Sequence, residues 1–246
     1  MRDLTEEERI IYNEGERLIP GITHSIEEVV RHQSSYVFFK KVIELDRKLN
    51  RDTKQIRILD LGCGVGHGCK TLSKISHSEI VGVDVSHAPI EYARRFYSAR
   101  NIKYKIMGID ELVTSQEEYD YIVSRGVIEH IPNGINLVSK TRWRKRLIFD
   151  VPYEEPAGIN PHHLISNINE DSFSNLQNVE LFYQGTDGVT YNSLPQEKPN
   201  MIMCVSTCSG LPPIADQISF PMPAWKPSDK ARWGERINRL LRRAYI

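Results

Sequence analysis

Two periodicities divide the chain. Short apolar runs rich in Ile, Leu, Val and Tyr recur at 57–61 (RILDL), 79–85 (EIVGVDV), 103–107 (KYKIM), 119–124 (YDYIVS) and 146–151 (RLIFDV). Short apolar runs of this length predict buried strands, and the first leads straight into glycines. Helical spacing over 67–76, 86–100 and 133–142 separates most of them. Strands alternating with helices predict a parallel sheet wound by right-handed crossovers. Before the first strand, 5–49 reads as mostly helical with a break at Pro20–Gly21, and Ser25 stands as an N-cap for a helix running to Leu49. Beyond Pro152 the alternation stops. The segments 178–184 (NVELFYQ) and 200–207 (NMIMCVST) predict two more strands with no helix between them, pairing antiparallel at one edge. Five prolines within 209–227 predict an extended connector, and 228–246 has the spacing of a basic amphipathic helix.

Composition changes this picture little. The 246 residues are 40% apolar and 26% charged, an ordinary globular balance. Lys+Arg and Asp+Glu are 32 each, which leaves no strong case for nucleic acid as a partner. The start is acidic with no apolar h-region, and no stretch approaches the roughly 18 apolar residues of a membrane span. A cytoplasmic protein is expected. Cys63, Cys69, Cys204 and Cys208 form no CxxC pair, so reduced thiols are expected and a structural zinc is not. From Lys226 onward seven Lys/Arg face Asp229 and Glu235. The apolar stripe of this tail would suit packing on the domain or a second subunit, or docking at the inner face of the membrane.

The densest chemistry is Asp60-Leu61-Gly62-Cys63-Gly64-Val65-Gly66, between a predicted strand and a predicted helix. Glycines there let the backbone turn tightly and approach a ligand. Asp60, two residues before the first glycine, would repel a pyrophosphate but can hold a cationic amino group. Asp84, at the end of the next strand and 20 residues after Gly64, can accept hydrogen bonds from ribose hydroxyls.

These segments, with 119–131 (YDYIVSRGVIEHI), resemble the motifs of the class I S-adenosylmethionine-dependent methyltransferases. The resemblance implies an α/β Rossmann-like fold: a seven-stranded, mostly parallel sheet in the order 3-2-1-4-5-7-6 with helices on both faces. It places Asp60, Gly62, Cys63, Gly64 and Gly66 along the methionine part of the cofactor, Asp84 at the ribose, Val85 beside the adenine and Asp110 at its amino group. Tyr36 and Arg125 complete the implied cofactor set. Three regions follow: a helical cap over the cofactor site (1–50), the core (51–210) and the connector with the basic helix (211–246).

The segments 15–21 (GERLIPG) and 160–167 (NPHHLISN) are similar to one branch of the superfamily associated with surface-polysaccharide and sugar modification. That similarity implies O-methylation of a sugar or glycan hydroxyl. A hydroxyl needs a base, and histidine titrates near working pH. His163 is the first candidate and His130 the second, with Glu129 beside it; His162 reads as a surface residue. No metal is expected. Small-RNA 2′-O-methyltransferases hold a divalent ion with an ExxEH segment and a later histidine. Glu129, His130 and His163 resemble part of that set, but Gly126 stands where its first glutamate would be. Metal-assisted RNA methylation, methylation of a small metabolite and a non-catalytic cofactor-binding scaffold are the alternatives.

Overall fold

The structure is a computed structural model that describes residues 4–15, 17–20, 22 and 25–227. The predicted basic helix at 228–246 lies outside the described residues, and so does any partner or membrane surface it would meet.

The central strands are β1 (Ile56–Leu61), β2 (Ser78–Asp84), β3 (Ile102–Ile106), β4 (Tyr119–Arg125) and β5 (Trp143–Pro152), all parallel. Then β8 (Met201–Thr207) pairs antiparallel with β5, and β6 (Val179–Gln184) with β8. The order is β3-β2-β1-β4-β5-β8-β6-β7, where β7 is the two-residue Thr190–Tyr191. The Rossmann-like α/β class is as expected. The strand count is eight rather than seven because β7 adds a short edge that two residues cannot announce in a sequence.

Between the strands stand α3 (His67–Leu72), α4 (His87–Phe96), α5 (Ile109–Thr114) and α6 (Gly134–Val138); α3, α4 and α6 are shorter than their sequence patterns suggested. Among them α5 had no predicted counterpart: six residues opened by Gly108, with no side-chain cap, carry too little periodicity to register.

Ahead of the sheet, α1 (Glu6–Asn13) is closed by a Thr5/Glu8 capping box, and α2 (Ile26–Leu49) starts at the Ser25 N-cap. In α2, Phe38, Phe39, Val42 and Ile43 are fully buried on one face of the sheet. Each contributes roughly 1.5–3 kcal/mol by leaving water, so α2 is part of the core as well as a cover. The segment 209–227 is non-helical, as its prolines predict, and Ile214, Ile218 and Met222 join the same cluster. Among the described residues no helix is long and apolar enough to cross a membrane.

The period of two along β1 sorts its side chains. Ile56 and Ile58 face the α2 side, and Leu59 and Leu61 face the other core layer. The crevice at the carboxyl ends of β1, β2 and β4 is where open parallel sheets bind ligands.

Candidate active site

A cleft of about 440 Å³ opens at the ends of β1, β2 and β4. Its floor is the glycine loop. Gly62 takes a φ of +71°, and a Cβ there would lie 2.3 Å from Val127, so only glycine fits. Gly64, at φ +50°, would direct a side chain into open space on the cleft side. The loop is tied down by Cys63 N donating to Val83 O (2.8 Å) and Gly66 N to Cys63 O (3.0 Å).

Asp84 organises the neighbouring wall. Its Oδ2 accepts from Gly64 N (3.1 Å), and its Oδ1 accepts from Ser86 N and from Arg17 Nη2, both at 3.0 Å. Val85, two-thirds exposed, projects into the same cleft opposite Met107, Gly108 and Ile109. Gly62, Cys63, Gly64, Asp84, Val85, Arg125 and Tyr36, which the resemblance names for the cofactor, all line the cleft.

Three expected residues do not line it. Asp60 shares the strand face of Ile56 and Ile58, so it points under the loop toward α2 and is fully buried. Tyr36 Oη donates to its Oδ1 and Cys69 Sγ to its Oδ2, both at 3.1 Å. Burial is the main cause that raises its pKa to about 7; nearby Asp84 adds to the rise, while the two donors oppose it. Burial likewise holds the Tyr36 phenol well above its usual range, so it remains a donor. Asp60 therefore supports the loop from below. Gly66 is the left-handed N-cap of α3, where a Cβ would meet Tyr104 Oη at 2.5 Å. Asp110 is exposed in the first turn of α5 because the helix begins at Ile109 and turns that side chain outward; Ile109 faces the cleft in its place.

A second cavity of about 550 Å³ adjoins the first along Gly15, His32, Arg125, Gly126, His130 and His162. Its polar wall comes from two segments. Glu129 and His130 sit in a 3-10 turn after β4 (Ile128–His130). The 160–165 segment docks on that turn through Leu164 N and Ile165 N, which donate to Glu129 O at 2.8 and 3.1 Å. His163 Nδ1 lies 2.7 Å from Glu155 Oε1, and its Nε2 lies 3.1 Å from Asn160 Nδ2. A carboxylate only accepts and an amide nitrogen only donates, so the ring carries its proton on Nδ1 and accepts at Nε2. By the same reasoning His130 Nδ1, 3.0 Å from His162 O, is a donor. The carboxylate–histidine pair is the arrangement that orients a general base.

The structure thus brings Glu129, His130 and His163 together, with His162 contributing its backbone carbonyl. Glu155 escaped the sequence reading, since it lies in an irregular loop outside any motif; Asn160 opens the 160–167 segment but received no role there. Ligand atoms of Glu129, His130 and His163 all lie within 4.8 Å of one another, a spacing one divalent cation can bridge. Behind them, Arg125 Nε pairs with the fully buried Asp150 at 3.2 Å, and Gly126 N donates to the same carboxylate at 3.0 Å. That link ties the ends of β4 and β5 together beneath both cavities. Burial pushes Asp150 up, and Arg125 opposes the shift.

Residues 30–142, which span the glycine loop, Asp84 and His130, match the family model of a methyltransferase domain. The ubiquinone biosynthesis O-methyltransferase of Mesorhizobium japonicum is 32% identical over 97 residues, 39% of this chain and 39% of that protein. The malonyl-[acyl-carrier protein] O-methyltransferase of Bacillus cereus is 34% identical over 83 residues, 33% of this chain and 30% of that protein. The chain therefore matches well under half the length of these curated relatives. Among solved structures, the YcgJ protein from Bacillus subtilis shares the fold, with a TM-score of 0.51 at 15% identity over 73% of this chain and all of that one.

Proposed function

We propose that this chain is an S-adenosylmethionine-dependent O-methyltransferase, with the cofactor in the cleft over the glycine loop and a polyhydroxylated acceptor, such as a sugar, in the adjoining cavity. The match to a methyltransferase domain and two relatives named O-methyltransferases support the reaction class. One observation carries the acceptor side: the Glu155–His163 pair stands on the wall of a polar cavity that shares its inner edge with the cofactor cleft.

The cofactor supplies a sulfonium methyl. The cavity holds the acceptor oxygen in line with that methyl, which removes most of the entropic barrier to displacement. His163 Nε2 gives up Asn160 and accepts the hydroxyl proton, while Glu155 stabilises the imidazolium through Nδ1–H. The new bond is O–CH₃, the broken bond is S–CH₃, and its electron pair stays on the sulfur of S-adenosylhomocysteine. Cavity residues Glu28, Arg31 and Asn160 supply donors and acceptors for further hydroxyls.

The test is calorimetric titration with S-adenosylhomocysteine, followed by mass spectrometry of glycan and metabolite pools from cells with and without the protein. Binding in the micromolar range and a product heavier by one CH₂ are expected. Absence of binding would sink the cofactor reading, and a shift confined to RNA would move the acceptor. A second reading, metal-assisted methylation of an RNA 2′-hydroxyl, is favoured only by the 4.8 Å grouping of Glu129, His130 and His163. It would show as activity on RNA that is lost with chelator.

A further inference from the structure

Arg17 lies 67 residues before Asp84 in the chain, yet its guanidinium sits on that carboxylate inside the cofactor cleft. Among the described residues Nη2 makes its polar contacts, to Asp84 Oδ1 at 3.0 Å and Ser86 Oγ at 2.8 Å. Nη1 is buried without an acceptor among the described residues. Such a pair falls well short of the two parallel bonds an arginine makes with a carboxylate at a settled structural site. The segment that carries it is anchored: Leu18 and Ile19 are buried, and Ile19 packs with Ile11, Val65 and Tyr92 beside the glycine loop.

Asp84 has too few acceptor positions for two ligands. A carboxylate offers about four lone-pair sites. Gly64 N, Ser86 N and Arg17 Nη2 take three of them. The two amides belong to the loops that build the cleft and stay with it. A ribose cis-diol brings two hydroxyl donors to the one site left, and among the described donors Arg17 is the one that can leave.

From this we infer that Arg17 is a built-in competitor of the cofactor: the position it takes on Asp84 is one that a ribose diol needs, so the guanidinium must swing off as the nucleoside binds. This rests on the S-adenosylmethionine reading of the cleft. It makes the Arg17 side chain a gate whose closed state is the Arg17–Asp84–Ser86 contact. Ser86 fits that role, since it N-caps α4 without using its side chain as a cap. After methyl transfer the nucleoside left behind has lost the sulfonium charge, and the guanidinium returning to Asp84 helps to expel it.

A competitor raises the apparent Kd by the reciprocal of the fraction of molecules it leaves open, so a pair closed in about nine of ten molecules costs about tenfold. The experiment titrates S-adenosylhomocysteine into the full chain by calorimetry, for the native protein, Arg17→Met and Ser86→Ala. Methionine keeps the aliphatic stem and removes the charge. Arg17→Met should bind about five- to tenfold more tightly, and Ser86→Ala about twofold. Arg17→Met placed on Asp84→Asn should give no further gain, since the competition is then gone. Unchanged or weaker binding by Arg17→Met, with a native melting curve, would overturn the gate while leaving the cofactor reading intact. If Arg17→Met does not fold, Ser86→Ala decides alone, because that side chain caps nothing. Failure of the native protein to bind S-adenosylhomocysteine would instead remove the cofactor reading and the gate together.

Discussion

Two arginine–aspartate pairs stand at opposite ends of the sheet, and they share little beyond their chemistry. At the amino ends of the parallel strands, Arg146 meets Asp46 of α2 with Nε on Oδ2 and Nη2 on Oδ1, both at 2.8 Å. Thr207 Oγ1 takes Nη1 at 2.7 Å, Pro212 O takes Nη2 at 2.8 Å, and Tyr121 donates to Asp46 at 3.3 Å. Neither side chain is exposed. At the carboxyl ends, Arg17 touches Asp84 through one nitrogen, and the other meets no acceptor among the described residues. Saturation separates their roles. A buried guanidinium with its directions filled fixes α2, β5, β8 and the 209–227 segment to one another. A half-satisfied one can move when a better partner arrives.

The sharpest way to break that contrast is at the sealed end. Arg146→Ala strands Asp46 and Thr207 in a dry core, and losing one partner of a buried pair costs about 3–5 kcal/mol. Urea denaturation should show a loss of that size, against less than 1 kcal/mol for Arg17→Met. Comparable losses from both variants would mean that the two pairs are structural alike.

The open end should respond in chemistry rather than in stability. His163→Ala should lower kcat by about 10²–10⁴ with little change in KM, the contribution of a positioned base. Glu155→Gln, which keeps the shape but removes the charge that holds the imidazolium, should fall in between. A KM increase at constant kcat in both variants would assign the pair to acceptor binding.

Asp60 lies between the two ends in character, buried like Asp46 yet adjacent to the cleft. Its folded pKa, raised to about 7 from an unfolded 3.8, means that the native state holds this proton more tightly. The stability it lends is therefore present below pH 4, falls as pH rises toward 7, and is absent above. Asp60→Asn cannot titrate. The stability of the variant relative to the native protein should climb by roughly 2–4 kcal/mol between pH 4 and pH 8. A flat difference across that range in chemical denaturation would show that the carboxylate is already ionised at acid pH. Smaller again, Asp84→Ala should weaken S-adenosylhomocysteine binding about tenfold to a hundredfold, by loss of two charge-assisted hydrogen bonds partly offset by release of Arg17.

Both ends were unequally legible in the sequence. The strands and the glycine loop could be read because their signals are local: apolar runs of fixed length, glycines between strand and helix, and an acid at the end of β2. The same locality misled at Asp60 and Asp110. The motif places both near a ligand, but strand alternation turned Asp60 under the loop and the onset of α5 turned Asp110 to solvent. What joins distant segments left no trace. Arg17 on Asp84, Asp46 on Arg146, and Glu155 on a histidine in an irregular loop depend on chain crossings that periodicity does not encode. The partnerships that distinguish the sealed end from the open one belong to that unreadable part.

The smallest expected effect tests the chemistry of the open end most directly. If His163 accepts the proton, the acceptor hydroxyl needs no metal ion, and dialysis against EDTA should leave turnover unchanged. The geometry makes this a fair trial, since Glu129, His130 and His163 are close enough to share a divalent cation. Such an ion would draw on His163 Nε2, the same lone pair that base catalysis needs. The two roles therefore exclude each other in one turnover. Loss of activity on EDTA treatment, restored by magnesium or manganese, would make Glu155 the orienter of a metal ligand and end the general-base assignment. Activity that survives the chelator leaves His163 and Glu155 as the proton acceptor and its orienter.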